Sequence, residues 1–198
     1  MIYLNKENKT QTLKIDFDDW KSYPERAFLV SSHCNTPDKK NMLLSVLREI
    51  KKCFPDSYVL LCSHLPIEES VYSYIDNFIY EKNNPIINKD LRDNITCGRW
   101  FVTMAFIWNG VEINLSKNYL YHAYAHHINK YEGLHHLLGQ KIKYAHVLNY
   151  DIDTSRIAEL EEHYQKMKND GKDVIYYDCE SWLMQPSMNT EFFSLSLD

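Results

Sequence analysis

Four short, nearly unbroken apolar runs punctuate the chain: Ala27-Phe28-Leu29-Val30, Tyr58-Val59-Leu60-Leu61-Cys62, Phe78-Ile79-Tyr80 and Tyr144-Ala145-His146-Val147-Leu148. Runs of this length without alternation mark strands covered on both faces, as in the parallel sheets of α/β proteins. The first run continues through Ser31 and Ser32 into His33-Cys34-Asn35-Thr36-Pro37, where Thr36 can cap a helix and Pro37 can fill its first turn. That helix shows Leu43, Val46, Leu47 and Ile50 on one face and must stop before Pro55. The second run leads into Ser63-His64-Leu65-Pro66 and a further helix start, with Glu68 and Glu69 at the positive end of its dipole. Strand, polar loop and helix thus occur twice in succession, which predicts parallel strands joined by helical crossovers.

The rest of the chain departs from that rhythm. Residues ahead of Ala27 are mixed and polar, with Asp16, Asp18, Asp19 and Trp20, and predict a short strand or arm. The stretch from Glu81 to Asp93 reads as a long loop, and Asn109-Gly110 between Trp100–Trp108 and Val111–Leu115 is a strong signal for a tight hairpin. Tyr121, Tyr124, Ile128, Tyr131, Leu134 and Leu138 recur at helical spacing over Asn118–Leu138, with His122, His126, Asn129, Gly133 and His136 opposite and Gly139 as a stop. Further on, Arg156–Lys168 is a polar helix ending near Gly171, Val174–Tyr177 is a strand, and Asp178–Asp198 is thinly patterned. The expectation is one α/β domain over residues 1–198, with a mostly parallel central sheet, flanking helices and an antiparallel hairpin excursion.

Composition narrows the function. A length of 198 residues with 44% hydrophobic and 25% charged positions suits a single globular domain. The formal charge of −5 and the lack of Lys/Arg runs argue against a nucleic-acid binder. Five cysteines, Cys34, Cys53, Cys62, Cys97 and Cys179, are scattered and suggest neither a disulfide framework nor a zinc knuckle. The first residues lack a secretory core, and no segment approaches the roughly 20 apolar residues of a membrane span, so a cytoplasmic protein without a transmembrane segment is expected.

Candidate chemistry gathers where the last buried run ends in Asn149-Tyr150-Asp151-Ile152-Asp153. If the runs from Ala27, Ser57 and Tyr144 are parallel neighbours, Ser31–Asn35, Ser63-His64 and Asp151–Asp153 open onto one sheet edge, where ligands of open α/β folds bind. Alternate residues of an extended chain point the same way, so Asp151 and Asp153 can converge on one divalent cation. An Asp-x-Asp is also a common solvated turn or helix cap. No Gly-rich phosphate loop is present, so a phosphate ligand would need a metal to neutralise it. His122 and His126 at i, i+4 lack a third ligand for a transition metal, and the tyrosine stripe reads as core.

In order, Ser32-His33-Cys34-Asn35-Thr36-Pro37, Ser63-His64-Leu65-Pro66, Phe78-Ile79-Tyr80-Glu81-Lys82-Asn83-Asn84-Pro85 and Asp151-Ile152-Asp153 resemble the nucleotide-binding half of GT-A fold glycosyltransferases, in a phage and giant-virus type branch. The resemblance covers about residues 27–153 and leaves 154–198 as a short acceptor-side part. It implies a metal-dependent transferase of the hexosyl class that takes a nucleoside diphosphate sugar, a UDP-sugar, to an unknown glycan, lipid or protein acceptor. It further implies that Ser31, Ser32 and His33 line the nucleoside pocket and that Ser63 lies beside the base, where many relatives have an acid. Asp151 would meet ribose or metal, and Asp153 the metal, Mn2+ or Mg2+. His122, His126 and Asn129 would reach ribose or pyrophosphate. Asp178, Glu180 and Glu191 are the late acids available as a general base, none singled out by spacing. Two alternatives stay open: a nucleotidyltransferase of related fold, and a nucleotide-sugar binding protein with an incomplete acceptor site.

Overall fold

The computed structural model describes residues 12–14, 24–80, 106–108, 111–113, 129–180 and 186–197. Its strands are β1 (Thr12–Lys14), β2 (Arg26–Ser32), β3 (Tyr58–Ser63), β4 (Asn77–Tyr80), β5 (Phe106–Trp108), β6 (Val111–Ile113), β7 (Tyr144–Asn149), β8 (Val174–Glu180) and β9 (Pro186–Ser196). The helices are α1 (Pro37–Cys53), the single turn α2 (Glu69–Tyr72), α3 (129–139) and α4 (Leu160–Asp170), the last preceded by a 3-10 segment, Thr154–Glu159. Seven strands form one sheet in the order β1-β4-β3-β2-β7-β9-β8, while β5 and β6 pair separately as an antiparallel ribbon on either side of Asn109-Gly110.

The α/β class is as expected, but the sheet is mixed. β4, β3, β2 and β7 are joined by parallel pairings, whereas β1–β4, β7–β9 and β9–β8 are antiparallel. The long strand β9 lies in the stretch that had no legible pattern. Its Phe192 and Phe193 are consecutive and buried on opposite faces, so no alternation announces the strand, and Ser194 beside them is fully enclosed.

Local chemistry accounts for the helices. Thr36 Oγ1 accepts the Lys39 N–H at the start of α1, with Pro37 in the first turn, and Leu43, Val46, Leu47 and Ile50 face the sheet. α4 ends at Gly171, whose φ of 62° is left-handed backbone that glycine adopts without strain. Odd and even positions of the central strands bury into different layers. Phe28, Val30 and Leu148 pack with α1 and the segment around Ile157 and Leu160; Ala27, Leu29, Ala145 and Val147 pack with Leu137 of α3. Both faces of the sheet are therefore covered by helix, which explains the unbroken apolar runs. No helix among the described residues is long and apolar enough to cross a membrane.

Candidate functional site

Numbered by first appearance, the four parallel strands lie in the order third, second, first, fourth. The chain steps outward one way from β2 to β3 and β4, then returns to the other side of β2 to lay down β7. The direction reverses between β2 and β7, and in open α/β sheets the crevice beyond the strand ends at such a reversal is where ligands bind. In register there, Ser31 stands opposite Asn149, and the Tyr150 N–H donates to the Ser31 carbonyl at 3.1 Å. On the next strand Ser63 is level with Ser32.

These side chains are enclosed. Ser31, Ser32, Ser63 and Asn149 are buried, as is Asn129 at the first turn of α3. Asn129 Nδ2 donates to Ser31 Oγ at 3.4 Å and to the Ser32 carbonyl at 3.5 Å, tying α3 to the end of β2. Ser63 is turned onto its own loop: its hydroxyl donates to the Leu65 carbonyl at 2.8 Å and accepts the Leu65 N–H at 3.1 Å. His64 is buried and His33 half-buried, their rings 6.3 Å apart. Ser32 Oγ, Asn129 Oδ1 and Asn149 Oδ1 are buried without a hydrogen-bond partner among the described residues. Buried polar atoms in a folded protein are overwhelmingly paired, so three orphans at one strand edge are a marked feature.

The paired acids are not carried on extended strand. β7 stops at Asn149, Tyr150 and Asp151 form a turn, and Asp153 caps the 3-10 segment, its Oδ1 accepting from Ser155 Oγ at 2.8 Å and Ser155 N at 3.0 Å. Those two bonds, the hydroxyl first, hold the Asp153 carboxyl below the usual aspartate range. Asp151 and Asp153 are therefore not alternate residues of one strand; both carboxylates are solvent-exposed in one turn, and Asp153 has a capping task of its own. Asp151 lies close enough to the Cys34 thiol that its charge adds to burial, the larger cause, in pushing that thiol up to about 12, against the pull of Lys39.

No family model and no curated protein matches the chain. Among the described residues, no three His, Cys, Asp or Glu side chains are grouped to hold a metal ion. A hard cation such as Mg2+ keeps waters and is bound by one or two carboxylates together with substrate phosphates, and Asp151 and Asp153 are exposed carboxylates of that chemical type.

Of the residues singled out from sequence, Ser31, Ser32, His33, Ser63, Asp151, Asp153 and Asn129 fall on or beside one sheet edge. His122 and His126 lie outside the described residues. β8 runs in the same direction as β7, which brings the backbone of Asp178 and Glu180 toward that same edge two strands away, while Glu191 directly precedes Phe192, the partner of Leu148. Asn149 was missed. It belongs to no motif, and only the register shows that it faces Ser31.

Proposed function

We propose that the chain is a metal-dependent glycosyltransferase that binds a nucleoside diphosphate sugar, a UDP-sugar, and passes the sugar to a hydroxyl of an acceptor in the cytoplasm. The observation that carries the reading is the reversal of strand order between β2 and β7, with polar side chains from both strands and from α3 gathered at their carboxyl ends. In this reading the end of β2, Ser31 to His33, forms the wall against the nucleoside, with Ser63 next to it. Ser63 is already engaged by Leu65, so it borders the base as a fixed, neutral surface rather than as a charged reader. Asp151 and Asp153 are the residues that would hold Mn2+ or Mg2+. When bound, the cation neutralises the diphosphate and so makes it a better leaving group. The acid that accepts the acceptor's proton is sought among Asp178, Glu180 and Glu191, whose backbones approach the same edge.

Calorimetric titration with UDP and MnCl2 tests the reading, alongside Asp151→Asn and Asp153→Ala. The expected result is manganese-dependent binding to the wild type and at least a tenfold loss in Asp151→Asn. Asp153→Ala should show the same loss together with about 1 kcal/mol of stability from the missing cap. Nucleotide release from UDP-sugars, with and without acceptor extract, then separates a transferase from a protein that only binds. Equal affinity in wild type and both variants overturns the assignment of the acids.

A further inference from the structure

Asn129 and Asn149 each hold a buried, unpaired amide oxygen beside the strand reversal. On β2 and β7 the positions Ala27, Leu29, Ala145 and Val147 face α3, and the alternation continues through Ser31 and its register partner Asn149. Asn129 approaches that same face from α3 and donates through Nδ2 to Ser31 Oγ and to the Ser32 carbonyl. A backbone carbonyl can only accept, so the amide nitrogen must point at it and Oδ1 must point away. The side chains of Asn129 and Asn149 are 1% and 6% exposed, and each keeps an oxygen without a hydrogen-bond partner among the described residues. Ser31 Oγ, which accepts from Asn129, retains its own proton to give. The face beside the strand reversal therefore offers two unpaired amide oxygens that only accept, with the Ser31 hydroxyl and the Asn149 amide N–H able to donate, all neutral and withdrawn from water.

A group that is itself only an acceptor leaves both orphan oxygens unpaired. Phosphate oxygens bring them no proton, which favours ribose over pyrophosphate of the two contacts the resemblance allowed for Asn129. The set suits a neutral group with two adjacent O–H donors that can also accept. We infer that Asn129 and Asn149, with Ser31, form a subsite for a vicinal diol. The inference rests on the nucleotide-sugar reading for the identity of the ligand, since a UDP-sugar carries such a diol in its ribose and another in its hexose; it does not rest on the acids of the Asp151 turn.

The test uses Asn149→Leu in the full chain, because leucine has the branching of asparagine and removes the orphan oxygen, with Asn149→Val, closer to asparagine in volume, beside it. Replacing an unpaired buried polar group by an apolar one of the same shape should raise the melting temperature of the ligand-free protein, by about 2–4 °C for a domain of this size. The same variant should bind the diol-bearing ligand about tenfold more weakly, the loss of one neutral hydrogen bond. Inorganic pyrophosphate with manganese should bind wild type and variant alike. Titrations with UDP, 2′-deoxy-UDP and UDP-glucose distinguish the two sources. If the ribose supplies the diol, 2′-deoxy-UDP is weaker on wild type and Asn149→Leu costs it little more; if the hexose does, only UDP-glucose feels the substitution. If Asn149→Leu and the smaller Asn149→Val both melt lower than wild type, Asn149 is paired within the protein and the inference is overturned, as it is by unchanged affinity for all three nucleotides. If wild type binds no nucleotide while Asn149→Leu melts higher, the nucleotide-sugar reading fails by itself. Free pentoses and hexoses are then run as thermal-shift ligands on both proteins, and the lack of any differential shift overturns the diol assignment too.

Discussion

Gly133→Ala measures how closely α3 lies on the sheet. A Cβ at Gly133 would sit 2.4 Å from Leu29 Cδ1, 2.8 Å from Leu29 Cδ2 and 2.9 Å from Cys62 Sγ. Carbon atoms in contact prefer about 3.5–4.0 Å, so the nearest overlap exceeds 1 Å. Leu29 and Cys62 are both wholly enclosed and have no solvent to move into. Alanine gains about 1 kcal/mol over glycine in helix propensity. Against this stand about 1–3 kcal/mol for forcing a methyl into a filled core and about 1 kcal/mol for loosening the Asn129 bonds one turn away. The net expectation is a loss of about 1–3 kcal/mol, read as a lower midpoint in urea at unchanged slope. The loss should shrink when Leu29 is first cut to alanine: in that background only the Cys62 Sγ contact remains, and Gly133→Ala should come out about neutral, the helix-propensity gain offsetting it. Equal effects in the two backgrounds, or a Gly133→Ala protein as stable as wild type, would refute the close approach.

Two further outcomes follow from buried polar contacts. Ser194 Oγ lies 2.7 Å from His146 Nδ1 and 3.0 Å from His163 Nδ1, linking β9 to β7 and to α4. Burial first, then the Arg26 charge, holds His146 well below the ordinary histidine value of 6.5, and burial likewise lowers His163. A lowered folded value means that the unfolded chain takes up protons first, so stability is complete above about pH 7.5 and falls as the pH drops below 6.5. For His146 the slope approaches about 1.4 kcal/mol per pH unit, and urea midpoints from pH 8 to pH 5 should show an acid limb that flattens in His146→Leu. Asp76 Oδ2 accepts from the Val59 N–H at 2.6 Å and from Lys51 Nζ at 2.9 Å, and Lys51 also reaches the Ser57 carbonyl. Asp76→Ala should cost about 3 kcal/mol by urea titration, the lower end for a broken buried pair because Lys51 keeps some access to water.

The legible parts of the fold are those where one physical signal acts alone. β2, β3 and β7 are covered on both faces and announce themselves as apolar runs; α1 carries its cap, its proline and its apolar stripe in the sequence. The hairpin strands β5 and β6 flank the Asn-Gly pair that called for them. The expected helix after Ser63 shrinks to the four residues of α2, whose start at Glu68 has no side-chain cap. β9 stayed hidden because its pairing with β7 is remote: Phe192 lies opposite Leu148, a contact that no local window contains. The site was legible as a set of strand ends. The turn-and-cap reading of the Asp-x-Asp is the one Asp153 adopts; what spacing could not supply was the register that brings Asn149 opposite Ser31.

The insertion of β9 between β7 and β8 has a consequence for how the protein is made. β7, which leads into the acids, is paired with β2 along one side, but its other side is closed only when Phe192 to Ser196 arrive alongside Leu148 to Tyr144. During synthesis, or after clipping behind Glu180, β7 presents a bare row of amides and carbonyls beside the very crevice the ligand would enter. Such a half-finished molecule is primed to take a strand from a neighbour, and precipitation should track the integrity of Pro186–Ser196 more closely than the health of its core.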